Sequence, residues 1–263
     1  MKSASIILML GSWFAALDPN NNGCGAAAGA NQANGAEAPD AAAPATPIDT
    51  NGTANMECGA LGKHAFCDDF SGAMPGNFET QEVQTGLVSF ENGGLLATVQ
   101  KPASGTRTIA QIKKPVNVDG ERFRLSFTEN VQADCFIGKN TVQTNAILVN
   151  GGKYAIAILH GENGDSVLEG NFDNGIYLQA HQLRTPIPHD RTTKLTFDLD
   201  LDAKTISLEV DGNVVMDREP LKYSVPAPQK ATVVAGILID NLLGPTPCKT
   251  TIDDVTLDVQ ASK

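Results

Sequence analysis

The residues with the clearest chemical potential lie in the stretch "GIYLQAHQLR" (175–184). Tyr177, Gln179 and His181 are each separated by one residue, so an extended strand places all three on one face, with Arg184 just beyond it. A tyrosine ring stacks on the apolar face of a sugar, while an amide, an imidazole and a guanidinium hydrogen-bond hydroxyls or a carboxylate. These four residue types in this order point to binding of a polar, ring-shaped ligand.

Bond-breaking chemistry is harder to find. The chain has no G-x-S-x-G, no phosphate-cradling glycine loop and no nucleotide fingerprint. Hydrolysis of a glycosidic bond needs two carboxyl groups facing each other across the scissile bond. The nearest pair, Glu209 and Asp211 in "LEVDG", runs into Asp211-Gly212, where an aspartate is expected for its turn conformation. His64, His160 and His189 fall in loops or at a strand end and are expected at the surface.

The five cysteines contain no C-x2-C pair, and no H-x3-H pair accompanies them, so their spacing points to disulfides rather than to zinc. Cys24 stands alone in a run of Asn, Gly and Ala. The other four can pair in three ways, and the expected pairing is Cys58–Cys67, a short loop at the entry to the folded part, with Cys135–Cys248 tying mid-chain to the C-terminal segment. A formal net charge of −11 repels nucleic acid and anionic lipid alike, which excludes nucleic-acid partners.

The chain around these residues divides into three parts. Lys2 and the apolar run Ile6 to Leu17 have the charge and length of an export signal, within the usual range of roughly 7–15 apolar residues. The run is shorter than the about 20 residues that a membrane-spanning helix needs. Residues 1–23 are therefore expected to be an export signal, residues 24–56 a flexible linker too poor in large apolar side chains to fold, and residues 57–263 a single domain. The signal, Gly23-Cys24 and the small-residue linker together resemble a bacterial lipoprotein precursor. The resemblance implies lipidation of Cys24 and an anchor in the cell envelope; ordinary signal cleavage near Ala15 or Ala16 is the alternative, giving a secreted chain. Asn21 stands where that family usually has leucine.

Within the domain, apolar and polar residues alternate. In "LTFDLDL" (195–201), Leu195, Phe197, Leu199 and Leu201 share one face, and the chain continues through "TISLEV" and the hairpin signal Asp211-Gly212 into "NVVMD". This predicts a three-strand antiparallel meander. Further strands are predicted at "GLVSFEN", "LLATVQ", "TIAQIKK", "RFRLSFT", "NAILVN", "KYAIAILH", "GIYLQAHQL", "ATVVAGILID" and "IDDVTLDV", the fifth and sixth joined by Asn150-Gly151-Gly152. Many short strands without helices between them predict an all-β sandwich of two packed antiparallel sheets.

The opening "FCDDFSG", "VSFENGGLLATV", the late hairpin "ISLEVDGNVV" and the closing "TIDDVTLDV" are together similar to concanavalin A-like lectin/glucanase jelly rolls of the laminin-G-like kind, over about 66–259. The resemblance implies a jelly roll whose first and last strands lie side by side. That would bring Asp68 and Asp69 near Asp253 and Asp254 as candidate calcium ligands, the one cofactor implied. It also implies a ligand site on the inward-curving sheet, for which Tyr177, Gln179, His181 and Arg184 are the candidates. Gly175-Ile-Tyr177-Leu-Gln179 further resembles the G-x-Y-x-Q portion of a motif in jelly-roll alginate lyases, which implies Tyr177, His181, Arg107 and Gln111 as the catalytic set of a polysaccharide lyase. Lys113 stands where that family has histidine. The expected function is non-catalytic binding of an extracellular or envelope polysaccharide or glycan. A lyase acting on uronate glycans and a structural or adhesive surface protein are the alternatives.

Overall fold

A computed structural model describes residues 64–260, apart from 71–77, 79, 85, 92, 101–106, 119, 137–140, 163, 174, 226–229 and 241–246. The export signal, Cys24, the linker and Cys58 lie outside the described residues.

The described chain is almost entirely antiparallel strand. One sheet, A, has the order β13 (Asn213–Pro220), β12 (Thr205–Val210), β11 (Thr193–Asp200), β6 (Arg122–Val131), β15 (Cys248–Gln260), β4 (Gly94–Val99), β3 (Gly86–Glu91), with β1 (Phe66–Asp68) also paired to β15. The other, B, has the order β10 (Tyr177–Gln182), β9 (Ser166–Asn171), β8 (Tyr154–Gly161), β7 (Thr141–Val149), β14 (Lys230–Asp240), β5 (Arg107–Asn117), β2 (Thr80–Gln84). No helix of the described residues is long and apolar enough to cross a membrane.

The expected meander is present as β11–β12–β13. Asp211 and Gly212 both have positive φ, 50° and 78°, as the tight turn between β12 and β13 requires. Leu195, Phe197 and Leu199 are buried against Phe127 and the facing sheet, while the opposite face of β11 carries Asp198, paired with Arg122 at 2.8 Å. Alternation along β6 works the same way: Phe123, Leu125, Phe127 and Val131 fill the space between the sheets. From sheet B, Ile156, Ile158, Val233, Ile237 and Ile239 meet them.

β1 and β15 pair antiparallel, with Asp68 opposite Val255, so the first and last described strands do lie side by side. The disulfide Cys135–Cys248 joins the 3-10 turn Ala133–Phe136 to the start of β15, across 113 residues of sequence. Cys67 is also disulfide-bonded.

The outer face of sheet B departs from a simple wet side. Ile109, Leu148, Leu159, Leu168, Val234 and Leu238 form a second buried cluster there, against which Leu178 packs. Gln111 and Gln143 are fully buried, and neither amide makes a hydrogen bond.

Candidate binding site

The predicted strand at 175–183 is β10, and Tyr177, Gln179 and His181 do share one face. They lie opposite Asn171, Glu169 and Val167 of β9, on the side turned toward sheet A. This corrects the expectation of an open, inward-curving sheet surface. β10 is the edge strand of sheet B, so this face borders the margin of the sandwich, where it meets the edge strand of sheet A, β13. Leu178 takes the other side, over the second apolar cluster.

Between the two edge strands lies a groove of about 260 Å3, lined by Gln179, Ala180, His181, Gln182 and Arg184 on one side and by Val215, Met216 and Glu219 on the other. The structure thus brings together three of the four predicted binding residues. The fourth, Tyr177, sits two residues along β10 with its side of the strand open to solvent, 52 % exposed, and its ring lies 6.4 Å from that of Tyr223. Gly175 is needed here: its φ of +138° suits glycine, and a Cβ at this position would stand 3.1 Å from the Tyr177 ring.

Glu169 organises the groove wall. Its carboxylate is buried beneath β10 and accepts four hydrogen bonds: from Tyr154 Oη at 3.1 Å, the Tyr223 amide at 2.9 Å, the Lys222 amide at 2.9 Å and His181 Nε2 at 3.0 Å. The segment after β13 is therefore tied to the same carboxylate as β10. Burial first, and then the Glu169 charge, push the Tyr154 phenol above its ordinary range, so it remains a donor. With Nε2 directed at Glu169, His181 has Nδ1 as its remaining ring donor or acceptor. Glu169 was not singled out in the sequence because "SVLEGN" shows no alternation; a lone glutamate between a leucine and a glycine carries no signal of its partners.

The lyase constellation is not assembled. Arg107 and Gln111 belong to β5, five strands from β10 in sheet B. At about 4.8 Å per strand, the path along the sheet from β10 to β5 is about 24 Å.

The four aspartates are grouped by the β1–β15 pairing. Asp68 Oδ1 accepts the Phe70 amide at 2.9 Å, and Asp253 Oδ1 accepts the Asp254 amide at 2.8 Å, at a bulge where Asp254 has φ +51°. Burial, and then the charges of Asp254, Asp69 and Asp68, raise the Asp253 carboxyl to about 6. An all-oxygen set whose charges repel one another fits a hard cation such as calcium.

His64 and His160 are not surface residues, which corrects the expectation from sequence, and His189 is only partly exposed. His64 is mostly buried with Nδ1 2.5 Å from Asp258. His160 is fully buried between two carboxylates, Glu129 of β6 at 2.9 Å and Asp165 of the β8–β9 turn at 3.3 Å, and His189 lies 3.6 Å from Asp165. Burial alone would lower the His160 pKa, but Glu129 and Asp165 outweigh it and raise it to about 9.

No family model matches the chain, and no curated protein matches it. Solved structures do. The endo-β-1,4-glucuronan lyase of the fungus Trichoderma reesei superposes with a TM-score of 0.57 at 14 % identity, over 75 % of this chain and 96 % of that one. The cellulose-induced protein Cip1 gives 0.53 at 14 % identity, over 75 % and 98 %. A GlcNAcα1-4Gal-releasing endo-β-galactosidase of Clostridium perfringens gives 0.55 at 14 % identity, over 84 % of this chain and 66 % of that one. Likeness at this identity shows the fold, which is the concanavalin A-like jelly roll.

Proposed function

We propose that the protein binds a polysaccharide or glycan without cleaving it, in the groove between β10 and β13. The observation that carries this reading is the convergence of Gln179, His181, Arg184 and Glu219 on one groove beside the exposed ring of Tyr177. An aromatic platform next to a short row of fixed donors and acceptors is what a sugar ring needs: the ring stacks, and its hydroxyls meet polar groups whose positions are already set. Glu169 holds the His181 ring in place before any ligand arrives. Solved structures of the same fold include carbohydrate-active proteins, which agrees with a glycan ligand but leaves its identity to the site.

Cleavage has less support. A lyase built as the sequence motif implies would need Arg107 and Gln111 beside Tyr177, and they lie far across sheet B. An exported location agrees with the Cys135–Cys248 disulfide, since such bonds persist in oxidising compartments. Lipidation of Cys24 and calcium at Asp68, Asp69, Asp253 and Asp254 are part of the same proposal. The test is affinity electrophoresis of the full-length chain and its Arg184→Ala variant through gels carrying neutral or uronate polysaccharides. Retardation that Arg184→Ala reduces supports the groove; equal retardation of both places binding elsewhere. Equal mobility with and without polysaccharide favours the structural or adhesive alternative.

A further inference from the structure

We propose that His160 Nδ1, Asp165 Oδ1 and His189 Nε2 form a binding site for one divalent transition-metal ion, with zinc the best fit, beside the turn between β8 and β9.

The three atoms lie within 4.8 Å of one another, and none of the three makes a hydrogen bond. The His160 and Asp165 side chains are 0 % and 1 % exposed, so bulk solvent does not reach them. Three polar atoms facing one another in a buried place without well-formed hydrogen bonds are costly unless something sits between them. Two of the three separations say what. Asp165 Oδ1 is 3.3 Å from His160 Nδ1 and 3.6 Å from His189 Nε2, too long for good hydrogen bonds. Ligand atoms about 2.0–2.1 Å from a tetrahedral ion stand about 3.3–3.4 Å apart.

The surroundings orient each ligand. His160 Nε2 is 2.9 Å from Glu129 Oε1 and 3.3 Å from Thr144 Oγ1, so the proton of the neutral ring belongs on Nε2 and the lone pair on Nδ1, toward the other two ligands. A carboxylate behind a metal-ligating histidine has this role in known metal sites. Glu129 is itself held by Asn145 Nδ2 at 3.0 Å. Asp165 engages its other oxygen with the Ile187 amide at 2.5 Å, which leaves Oδ1 for the ion. The His189 ring stacks on Phe136 at 4.2 Å, and the next residue, Asp190, is fixed by its amide to the Val131 carbonyl and by its carboxylate to the Ala133 amide. His189, 23 % exposed, opens the site to solvent on one side. Two imidazole nitrogens and one carboxylate oxygen suit zinc, whereas calcium takes six to eight oxygens. The ligand spacing, 160, 165 and 189, matches no short zinc motif, so only the fold reveals it.

The experiment uses the full-length chain freed of metal with a chelator. Calorimetric titration with zinc chloride should show one tight site, and cobalt(II) should give the intense visible bands of four-coordination. His189→Ala should abolish both, and its partial exposure lets the fold persist, checked by circular dichroism. Asp165→Asn is the second variant, and Glu129→Gln should weaken zinc about 10–100-fold by loosening the His160 ring. Absence of one-to-one zinc binding by the unmutated chain, or equal binding by His189→Ala and Asp165→Asn, overturns the proposal.

Discussion

His181 Nε2 donates to Glu169 Oε2 at 3.0 Å, and the same carboxylate takes the amides of Lys222 and Tyr223. One buried acid therefore ties the edge of sheet B to the segment that leaves the edge of sheet A, and the groove between them depends on it. Replacing Glu169 by alanine leaves two amides, a phenol and an imidazole unpaired. The expected loss is about 3–5 kcal/mol in urea unfolding, the scale for breaking a buried charged network, together with loss of glycan retention. A loss within the surface range of about 0.5 kcal/mol would contradict this role.

Tyr177 separates binding from stability. Its ring is half exposed and packs on Tyr223 alone among aromatics of the described residues. Tyr177→Ala should leave the urea midpoint unchanged while weakening glycan retention about tenfold, the equivalent of about 1.4 kcal/mol.

The Cys135–Cys248 bond closes a loop of 113 residues between two buried sulfurs. Its removal by a Cys135→Ala/Cys248→Ala double replacement should lower stability by about 2–5 kcal/mol, read as a lower melting temperature. An unchanged melting temperature would show that this end of β15 is held by its strand pairing alone.

Asp253 makes stability depend on pH. Its folded carboxyl titrates at about 6, above the 3.8 of an ordinary unfolded aspartate, so the folded state binds the proton more tightly. The stability it contributes is complete below about pH 4 and is lost as pH rises through 6. With a chelator present, Asp253→Asn should flatten the stability profile between pH 4 and 6 and should be the more stable protein at pH 8. Calcium should raise the melting temperature of the unmutated chain at pH 8 and leave Asp253→Asn unmoved.

The parts of the fold legible from sequence are those where one face is wet. "LTFDLDL" announces β11 because Asp198 and Asp200 face solvent and Leu195, Phe197 and Leu199 face the core. β9 is silent because it is buried on both faces, and its Glu169 is balanced by groups 12 to 54 residues away that no local pattern contains. Alternation likewise put Tyr177, Gln179 and His181 on one face without saying which way that face turns. The strand's other face sets Leu178 on an apolar cluster of its own, so β10 has no single wet side to mark the direction. His160 reads as the end of a strand before a loop, and only the packing of β6 and the β8–β9 turn against it reveals a buried ring between two acids.

The measurement that tests the central claim most directly is incubation of the full-length chain with a panel of neutral and uronate polysaccharides, scoring retention and newly formed products together. The groove account predicts retention on at least one glycan, its loss in Tyr177→Ala and Gln179→Ala, and no new reducing ends or ultraviolet-absorbing unsaturated sugars. Product formation that Tyr177→Phe abolishes, or retention that neither alanine variant weakens, would contradict it.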